Sequence, residues 1–244
     1  MRIIARAEWL ARPPKETPTK ITTPTSELWL HHAAGAVLPG DDSVSSADLT
    51  RIRSIQNYHM DVRGWNDIAY SFLVDPDGWV FEGRGAGVAG AHTQNHNSIS
   101  HGICVMGNYK TQAVGPDLVD RLAELVRYGH EQGWWPAVLS GGHKDASGAS
   151  TSCPGKNLYP LIGKINTLAE GGDDDMPLSN EDLQKIADAV WFRLVTHPVT
   201  GEKRGAQALL ADAVKFAADA AAKPVGPGAT PDQIADELAQ RLAQ

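Results

Sequence analysis

The chain has 244 residues, of which 42% are hydrophobic, and its formal net charge is -7. This length and composition suit one substantial folded domain with a smaller addition, and they exclude a disordered chain. The acidic balance argues against a nucleic-acid partner, because a surface that follows phosphates needs an excess of basic residues. Two cysteines are too few for a disulfide framework, and no run of apolar residues is long enough to predict insertion into a membrane.

The N-terminal stretch MRIIARAEWLARPP contains neither a long apolar segment nor a small-residue cleavage site. It predicts a protein without a signal peptide, which would accumulate in the cytoplasm of the cell that makes it. If the substrate lies outside the membrane, a separate agent must let the protein reach it.

Strand and helix patterns alternate along the first part of the chain. ELWLHHAA, residues 27–34, predicts a buried strand. Residues 45–61 predict an amphipathic helix whose apolar face carries Leu49, Ile52, Ile55 and Tyr58.

A hairpin is predicted next, followed by one more strand and two more helices. AYSFLV and WVFEGR flank the turn sequence DPDG, which has the composition of a hairpin turn. HGICVMG predicts a strand, and PDLVDRLAELVRYGHEQG and KNLYPLIGKINTLAE predict helices. Because strands and helices are interleaved, residues 1–170 are expected to form an α/β domain.

The composition changes after residue 170. GGDDDMPLS, residues 171–179, predicts a solvated linker, and residues 180–244 read as helices. Residues 171–244 contain twelve acidic and seven basic residues, a balance of -5, and only three aromatic residues. Binding of a sugar polymer, oligomerisation and packing on the first domain all remain open for this region. The shortage of aromatic residues favours a helical assembly or spacer role over sugar binding.

Met176 raises a further hypothesis about this region. Codons GGA-GGU for Gly171 and Gly172 would spell a ribosome-binding sequence just before Met176, so an internal start would yield a free C-terminal fragment. Such a fragment could assemble with the full-length chain, and a homo-oligomer would multiply contacts with the substrate by avidity. Other glycine codons in the gene would rule this out.

The stretch GGHKDASGASTSCPG, residues 141–155, places His143 and Cys153 ten residues apart in a sequence typical of a loop. If the loop bends back, both side chains could bind one zinc ion, which prefers histidine nitrogen and cysteine thiolate. A third ligand is expected at the end of the strand in LWLHHAAG. Alternation along a strand places His31 and His32 on opposite faces, so only one of them should point at the metal.

Four motifs occur in order: WLHHAAG, RGWNDIAYSFLVDPDGWVFEGRG, GAHTQNHNSISHGICVMGNY and GHKDASGASTSCPG. Together they make roughly residues 5–165 resemble the zinc-dependent N-acetylmuramoyl-L-alanine amidases of the peptidoglycan recognition protein and phage lysozyme type. The resemblance implies a central mixed β-sheet flanked by helices. It also implies hydrolysis of the amide between N-acetylmuramic acid and L-alanine in bacterial peptidoglycan.

The resemblance implies the zinc ligands His31, His143 and Cys153. Cys153 favours catalysis, because family members that only bind peptidoglycan commonly lack this cysteine. Tyr70 matches the family tyrosine beside the zinc water, and Thr151 matches a position that is lysine in some members and threonine in others, so the resemblance implies a catalytic role for both. Cys104 matches a catalytic glutamate of some relatives and cannot act as that carboxylate, so Tyr70 is expected to carry more of the role.

Substrate contacts are implied for four further residues. His92 and Asn97 match positions that line the substrate groove. Trp65 resembles a residue at the groove edge, although it could equally be a core residue. Arg84 could pair with a substrate carboxylate or with a neighbouring side chain.

The sequence is therefore interpreted as that of a phage endolysin. It would gather in the host cytoplasm, reach the cell wall after another protein permeabilises the membrane, and cut peptidoglycan. A cytoplasmic amidase that recycles muropeptides and a recognition module that binds peptidoglycan without cutting it are the alternatives.

Overall fold

A computed structural model describes residues 1–35 and 44–171. The strands are β1 (Ile3–Ile4), β2 (Glu27–His32), β3 (Phe72–Val74), β4 (Val80–Glu82), β5 (Ser100–Val105) and β6 (Gly141–Gly142). The α-helices are α1 (Ser46–Asn57), α2 (Pro116–Glu131) and α3 (Ile162–Glu170). A π-helical turn over Tyr58–Val62 follows α1, and 3-10 turns cover His143–Asp145 and Tyr159–Leu161. Within the described ranges, no helix combines the length and apolarity that crossing a membrane requires.

The six strands form one mixed sheet in the order β1-β4-β3-β5-β2-β6. Only the predicted hairpin pair, β3 and β4, is antiparallel, and every other neighbouring pair is parallel. All six residues of β5 are buried, and in β2 only Glu27 is partly exposed. Such nearly continuous burial is what parallel strands covered on both faces require.

Side chains that alternate along the strands divide the core between the two faces of the sheet. Leu73 and Cys104 pack with Ile52 of α1 on one face. Phe72, next to Leu73, points the other way and stacks on Trp134, just beyond α2, with ring centroids 5.3 Å apart. Helical segments thus cover both faces, and the predicted α/β fold with a mixed sheet flanked by helices is confirmed.

Helix α1 begins as its sequence predicts but ends differently. Ser45 caps the helix and forms a capping box with Asp48, which satisfies the free amides of the first turn. The predicted helix over 45–61 is α-helical only to Asn57, because the last turn is π-helical. Tyr58 is 51% exposed, so the prediction that it lies on the apolar face is wrong. The reason is that side chains three residues apart drift by about 60° per step round an α-helix.

The last predicted helix is also shorter than its pattern. KNLYPLIGKINTLAE covers residues 156–170, but α3 starts only at Ile162 after the 3-10 turn that contains Pro160. Proline lacks the amide hydrogen that a helix interior needs, so the regular helix starts after it.

The chain divides into two units between Glu170 and Gly171. The predicted linker over 171–179, apart from Gly171, and the predicted helices over 180–244 lie outside the described residues. The hypotheses on Met176 and on oligomerisation therefore stay predictions.

Candidate metal centre

The pairing of β2 with β6 brings two histidines together. The two strands are parallel, and their register places Leu30 opposite Gly142. The residues that follow each of these, His31 and His143, therefore lie side by side at the carboxyl edge of the sheet. Their ring centroids are 4.7 Å apart.

The loop after His143 bends back as predicted. The amide of Lys144 donates to the carbonyl of Cys153 over 3.0 Å, which closes the loop at its base. Gly142 permits this approach, because a Cβ at that position would lie 2.4 Å from Cδ of Pro154. The loop thereby returns Cys153 to the strand end that carries His31.

His31, His143 and Cys153 form one cluster. Each offers a ligand atom, and the three atoms lie within 4.8 Å of one another. Nδ1 of His31 is 3.8 Å from Sγ of Cys153. A tetrahedral zinc ion would hold such a nitrogen and sulfur about 3.5 Å apart, given its usual bond lengths. Two imidazoles and one thiol at these distances suit zinc with a fourth position left open.

His32 contacts the same centre through its backbone only. Its ring lies on the opposite face of β2, where Nδ1 accepts the amide hydrogen of Tyr109 over 3.1 Å. Its own backbone amide donates to Sγ of Cys153 over 3.4 Å. The prediction that only one of the two adjacent histidines faces the cluster is confirmed.

Burial controls protonation at the cluster. It lowers the pKa of His31 well below its usual value, assisted by His92 and His143, and it lowers the pKa of His143 as well. The two imidazoles are thus neutral, the form that binds a metal. Burial raises the pKa of Cys153 to about 11 despite the amide of His32. A bound cation would oppose this effect, since it stabilises the thiolate.

Tyr70 stands beside the cluster, as the sequence predicts. Its ring centroid is 5.3 Å from that of His31. Its phenol lies beside the thiol of Cys104, a fully buried residue paired with His31 across β2 and β5. Burial raises the pKa of Tyr70 well above its usual value. The phenol therefore remains a neutral hydrogen-bond donor at physiological pH.

Thr151 is exposed at the end of the same loop. Its hydroxyl accepts the amide hydrogen of Cys153 over 3.2 Å. The hydroxyl thus helps to shape the ligand loop, and its predicted role in catalysis stays a prediction.

Comparison with known proteins agrees with this site. The family profile for N-acetylmuramoyl-L-alanine amidase matches residues 22–156, more than half of the chain. The chain belongs to the N-acetylmuramoyl-L-alanine amidase family. The match includes both cluster histidines and Cys153.

Some relatives of this chain are named for peptidoglycan recognition and others for amidase activity. Peptidoglycan-recognition protein SC2 of Drosophila simulans is 37% identical over 164 residues, which are 66% of this chain and 84% of that protein. The N-acetylmuramoyl-L-alanine amidase of Homo sapiens is 37% identical over 162 residues, which are 64% of this chain and 27% of that protein. Membership of the family alone therefore does not decide between catalysis and recognition.

Solved structures of the family share the fold. Wild-type Drosophila peptidoglycan recognition protein LB has a TM-score of 0.59 at 34% identity, covering 66% of this chain and 92% of that chain. A tyrosine-to-phenylalanine variant of the same protein, in complex with tracheal cytotoxin, has a TM-score of 0.59 at 33% identity, covering 66% and 93%.

His92 and Asn97, which were predicted to line the substrate groove, belong to the same loop. His92 is only 7% exposed, and its ring lies 5.1 Å from that of His31. Oδ1 of Asn97 accepts the backbone amides of His92 and Thr93 over 2.9 and 3.0 Å. These bonds hold the loop beside the metal cluster, while contact with a substrate stays a prediction.

Arg84 holds backbone together. Its guanidinium donates to the carbonyls of Ile68, Ala89 and Asp67 over 2.6, 2.7 and 3.3 Å. Three such bonds fix two neighbouring loops, so a substrate carboxylate would have to share this guanidinium with them. The predicted pairing with a substrate carboxylate stays untested.

Trp65 is partly exposed, between core and surface. Its ring lies 4.9 Å from that of His59, and the guanidinium carbon of Arg63 lies 5.1 Å from its centroid. Part of the ring is open to solvent, and contact of Trp65 with a substrate stays a prediction.

Sequence reasoning missed the role of His96. Nδ1 of His96 lies 2.7 Å from the carboxylate of Glu27, and Nε2 lies 3.2 Å from the carbonyl of Ser147, in the loop that carries two of the cluster residues. The hydrogen bond to Glu27 raises the pKa of His96. A charged imidazolium can donate at both nitrogens and so links the start of β2 to the ligand loop.

Replacing His96 by glutamine should remove a stabilisation that depends on pH. Because the folded-state pKa is raised, the contribution is fully present below the unfolded-state value of about 6.5 and is lost as pH rises through the folded value. The difference in melting temperature between wild type and His96→Gln should shrink from pH 5.5 to pH 8.5. Glu27→Gln, which removes the partner charge, should show the same trend. A difference that stays constant with pH would contradict this assignment.

Proposed function

We propose that the chain is a zinc-dependent amidase that hydrolyses the bond between N-acetylmuramic acid and L-alanine in bacterial peptidoglycan. The observation that carries the proposal is the cluster of His31, His143 and Cys153, whose ligand atoms lie within 4.8 Å of one another beside Tyr70. Family membership supplies the substrate class. The cluster and the phenol supply the groups that catalysis needs.

His31, His143 and Cys153 would hold the ion with one position open. A zinc ion bound in this way lowers the pKa of a coordinated water to about 7 and polarises a carbonyl oxygen. The protein keeps both imidazoles neutral by burial and supports the thiolate through the backbone amide of His32. The parallel strands β2 and β6 fix the spacing of the two histidines.

Tyr70 supplies the remaining hydrogen-bond donor. Hydrolysis of an amide develops negative charge on the carbonyl oxygen, and a preorganised neutral donor stabilises that charge. The Tyr70 phenol keeps its proton because burial raises its pKa, and its ring lies against His31. Thr151 would offer only a neutral hydroxyl, so its stabilisation of the oxyanion should be weaker than that of a lysine.

A recognition module without catalysis is the second candidate function. It is favoured by relatives that are named for peptidoglycan recognition rather than for hydrolysis. Binding alone, however, needs neither a thiol beside two neutral imidazoles nor a phenol at their edge. The amidase is therefore the better-supported function.

Cleavage of purified peptidoglycan, followed through newly released amino termini of L-alanine, tests the proposal. The protein should release these termini, lose the activity on removal of metal by a chelator, and regain it with added Zn²⁺. Binding without release would instead indicate a recognition module. New reducing sugar ends would show that a different bond is cut.

The finer proposal is that this amidase serves as a phage endolysin, acting on the cell wall from the host cytoplasm once the membrane is permeabilised. It rests on the similarity of the four motifs to the phage type of zinc amidase. Co-expression with a membrane-permeabilising protein should cause rapid lysis, whereas expression alone should not. A preference for small soluble muropeptides over intact wall would favour a recycling amidase instead.

A further inference from the structure

The two nitrogens of His31 face different partners. Nδ1 lies 3.8 Å from Sγ of Cys153, on the side of the cluster. Nε2 lies 3.4 Å from Oγ1 of Thr93. An imidazole that binds a metal through one nitrogen carries its proton on the other. Under the proposed function, Nε2 of His31 is therefore the protonated nitrogen and needs an acceptor.

The Thr93 hydroxyl lies between two histidines. Besides Nε2 of His31, its Oγ1 contacts Nδ1 of His92 at 2.9 Å. A hydroxyl has one proton to donate and lone pairs to accept with. If it accepts from His31, its own proton is free for Nδ1 of His92, which then carries its proton on Nε2. The three groups form one directed chain.

The His92 ring is held in place by its surroundings. A Cβ at Gly90 would lie 2.2 Å from Cδ2 of His92, and a Cβ at Gly102 would lie 2.7 Å from its Cγ. The ring is buried and fills the space left by these two glycines. His92 is thus fixed, as the end of such a chain must be.

Thr93 itself is held in place. Its Oγ1 lies within hydrogen-bond distance of Nδ1 of His92, whereas Nε2 of His92 is buried and has no hydrogen-bond partner among the described residues. Thr93 is 1% exposed, and Oδ1 of Asn97 fixes its backbone amide. The hydroxyl therefore stays next to His31.

We propose that Thr93 is a positioning residue for His31. Its hydroxyl accepts a hydrogen bond from the Nε2–H group of His31 and donates one to Nδ1 of His92. These two hydrogen bonds fix the tautomer of His31 and direct its Nδ1 at the metal position. Partners of this kind set the orientation and basicity of a ligand histidine. This inference rests on the proposed function, because it assumes that His31 binds zinc.

Zinc affinity of the full-length protein tests the inference without an activity assay. Thr93→Val keeps the shape of the side chain but removes the hydroxyl, so the Kd for Zn²⁺, measured by competition with a chromophoric chelator, should rise by about 10–100-fold. Thr93→Ser should restore an affinity close to that of wild type. Thr111→Val, a change at an exposed threonine, is the matched control and should leave the Kd unaltered.

The outcomes separate the inference from the proposed function. Equal Zn²⁺ affinities of wild type and Thr93→Val would overturn the inference alone, whereas failure of wild type to bind Zn²⁺ would refute both. If Thr93→Val does not fold, the histidine ¹⁵N spectrum of zinc-loaded wild type decides. Protons on Nε2 of both His31 and His92 would support the chain, and a proton on Nδ1 of either would overturn it.

Discussion

Replacing Cys153 by serine should abolish metal binding and hydrolysis together. Serine has nearly the same shape, but its hydroxyl does not ionise near neutral pH and is a poor zinc ligand. Mutation of a residue that only hydrogen-bonds to a metal ligand lowers metal affinity or activity by about 10–100-fold. Loss of a ligand itself should therefore lower amidase activity by at least about 100-fold. Release of amino-terminal alanine and the zinc content of the purified variant would be measured in parallel.

Ser152→Ala is the matched control for this change. Ser152 is exposed and adjacent to Cys153 in the same loop, so its replacement should leave zinc content and activity near those of wild type. A Cys153→Ser variant that kept more than a tenth of the activity would contradict the assignment of Cys153 as a ligand.

Replacing Tyr70 by phenylalanine should lower kcat by about 100-fold or more while zinc stays bound. The ring that packs against His31 is retained, and only the neutral donor is lost. Removal of one preorganised donor to a developing oxyanion costs about 10²–10³-fold in rate. KM should change little, because the interaction strengthens only as charge develops.

Tyr58→Phe controls for loss of a phenol elsewhere. Tyr58 is 51% exposed and packs outside the cluster, so this variant should retain wild-type kinetics. If Tyr70→Phe raised KM and left kcat unchanged, Tyr70 would be a substrate-binding residue, and its proposed role as a donor to the oxyanion would be wrong.

The long, periodic elements were predictable because their signals are local. ELWLHHAA and HGICVMG predict buried strands and form β2 and β5, and the turn sequence DPDG predicts the hairpin of β3 and β4. β6 consists of Gly141 and Gly142 alone, and two glycines give no hydrophobic pattern. Its presence depends on pairing with Trp29 and Leu30, a contact between distant parts of the chain. Yet this strand places His143.

The candidate ligands could be predicted from motif spacing, but their surroundings could not. Strand alternation favours one of His31 and His32, and the family motifs select His31. Nothing local indicates that His92 fits between two glycines, or that Thr93 lies within 3.4 Å of a ligand nitrogen. The π-helical turn over Tyr58–Val62 was missed for the same reason, since a 3.6-residue period cannot reveal one wider turn.

The cluster draws on residues separated by 122 positions, with His31 near one end of the domain and Cys153 near the other. During synthesis, β2 is made long before the loop that completes the set of ligands. Residue 153 must therefore emerge from the ribosome before the nascent chain can bind a metal through all three side chains. Chains that terminate before residue 153 would lack one of the three candidate ligands, so only a complete domain can assemble the cluster.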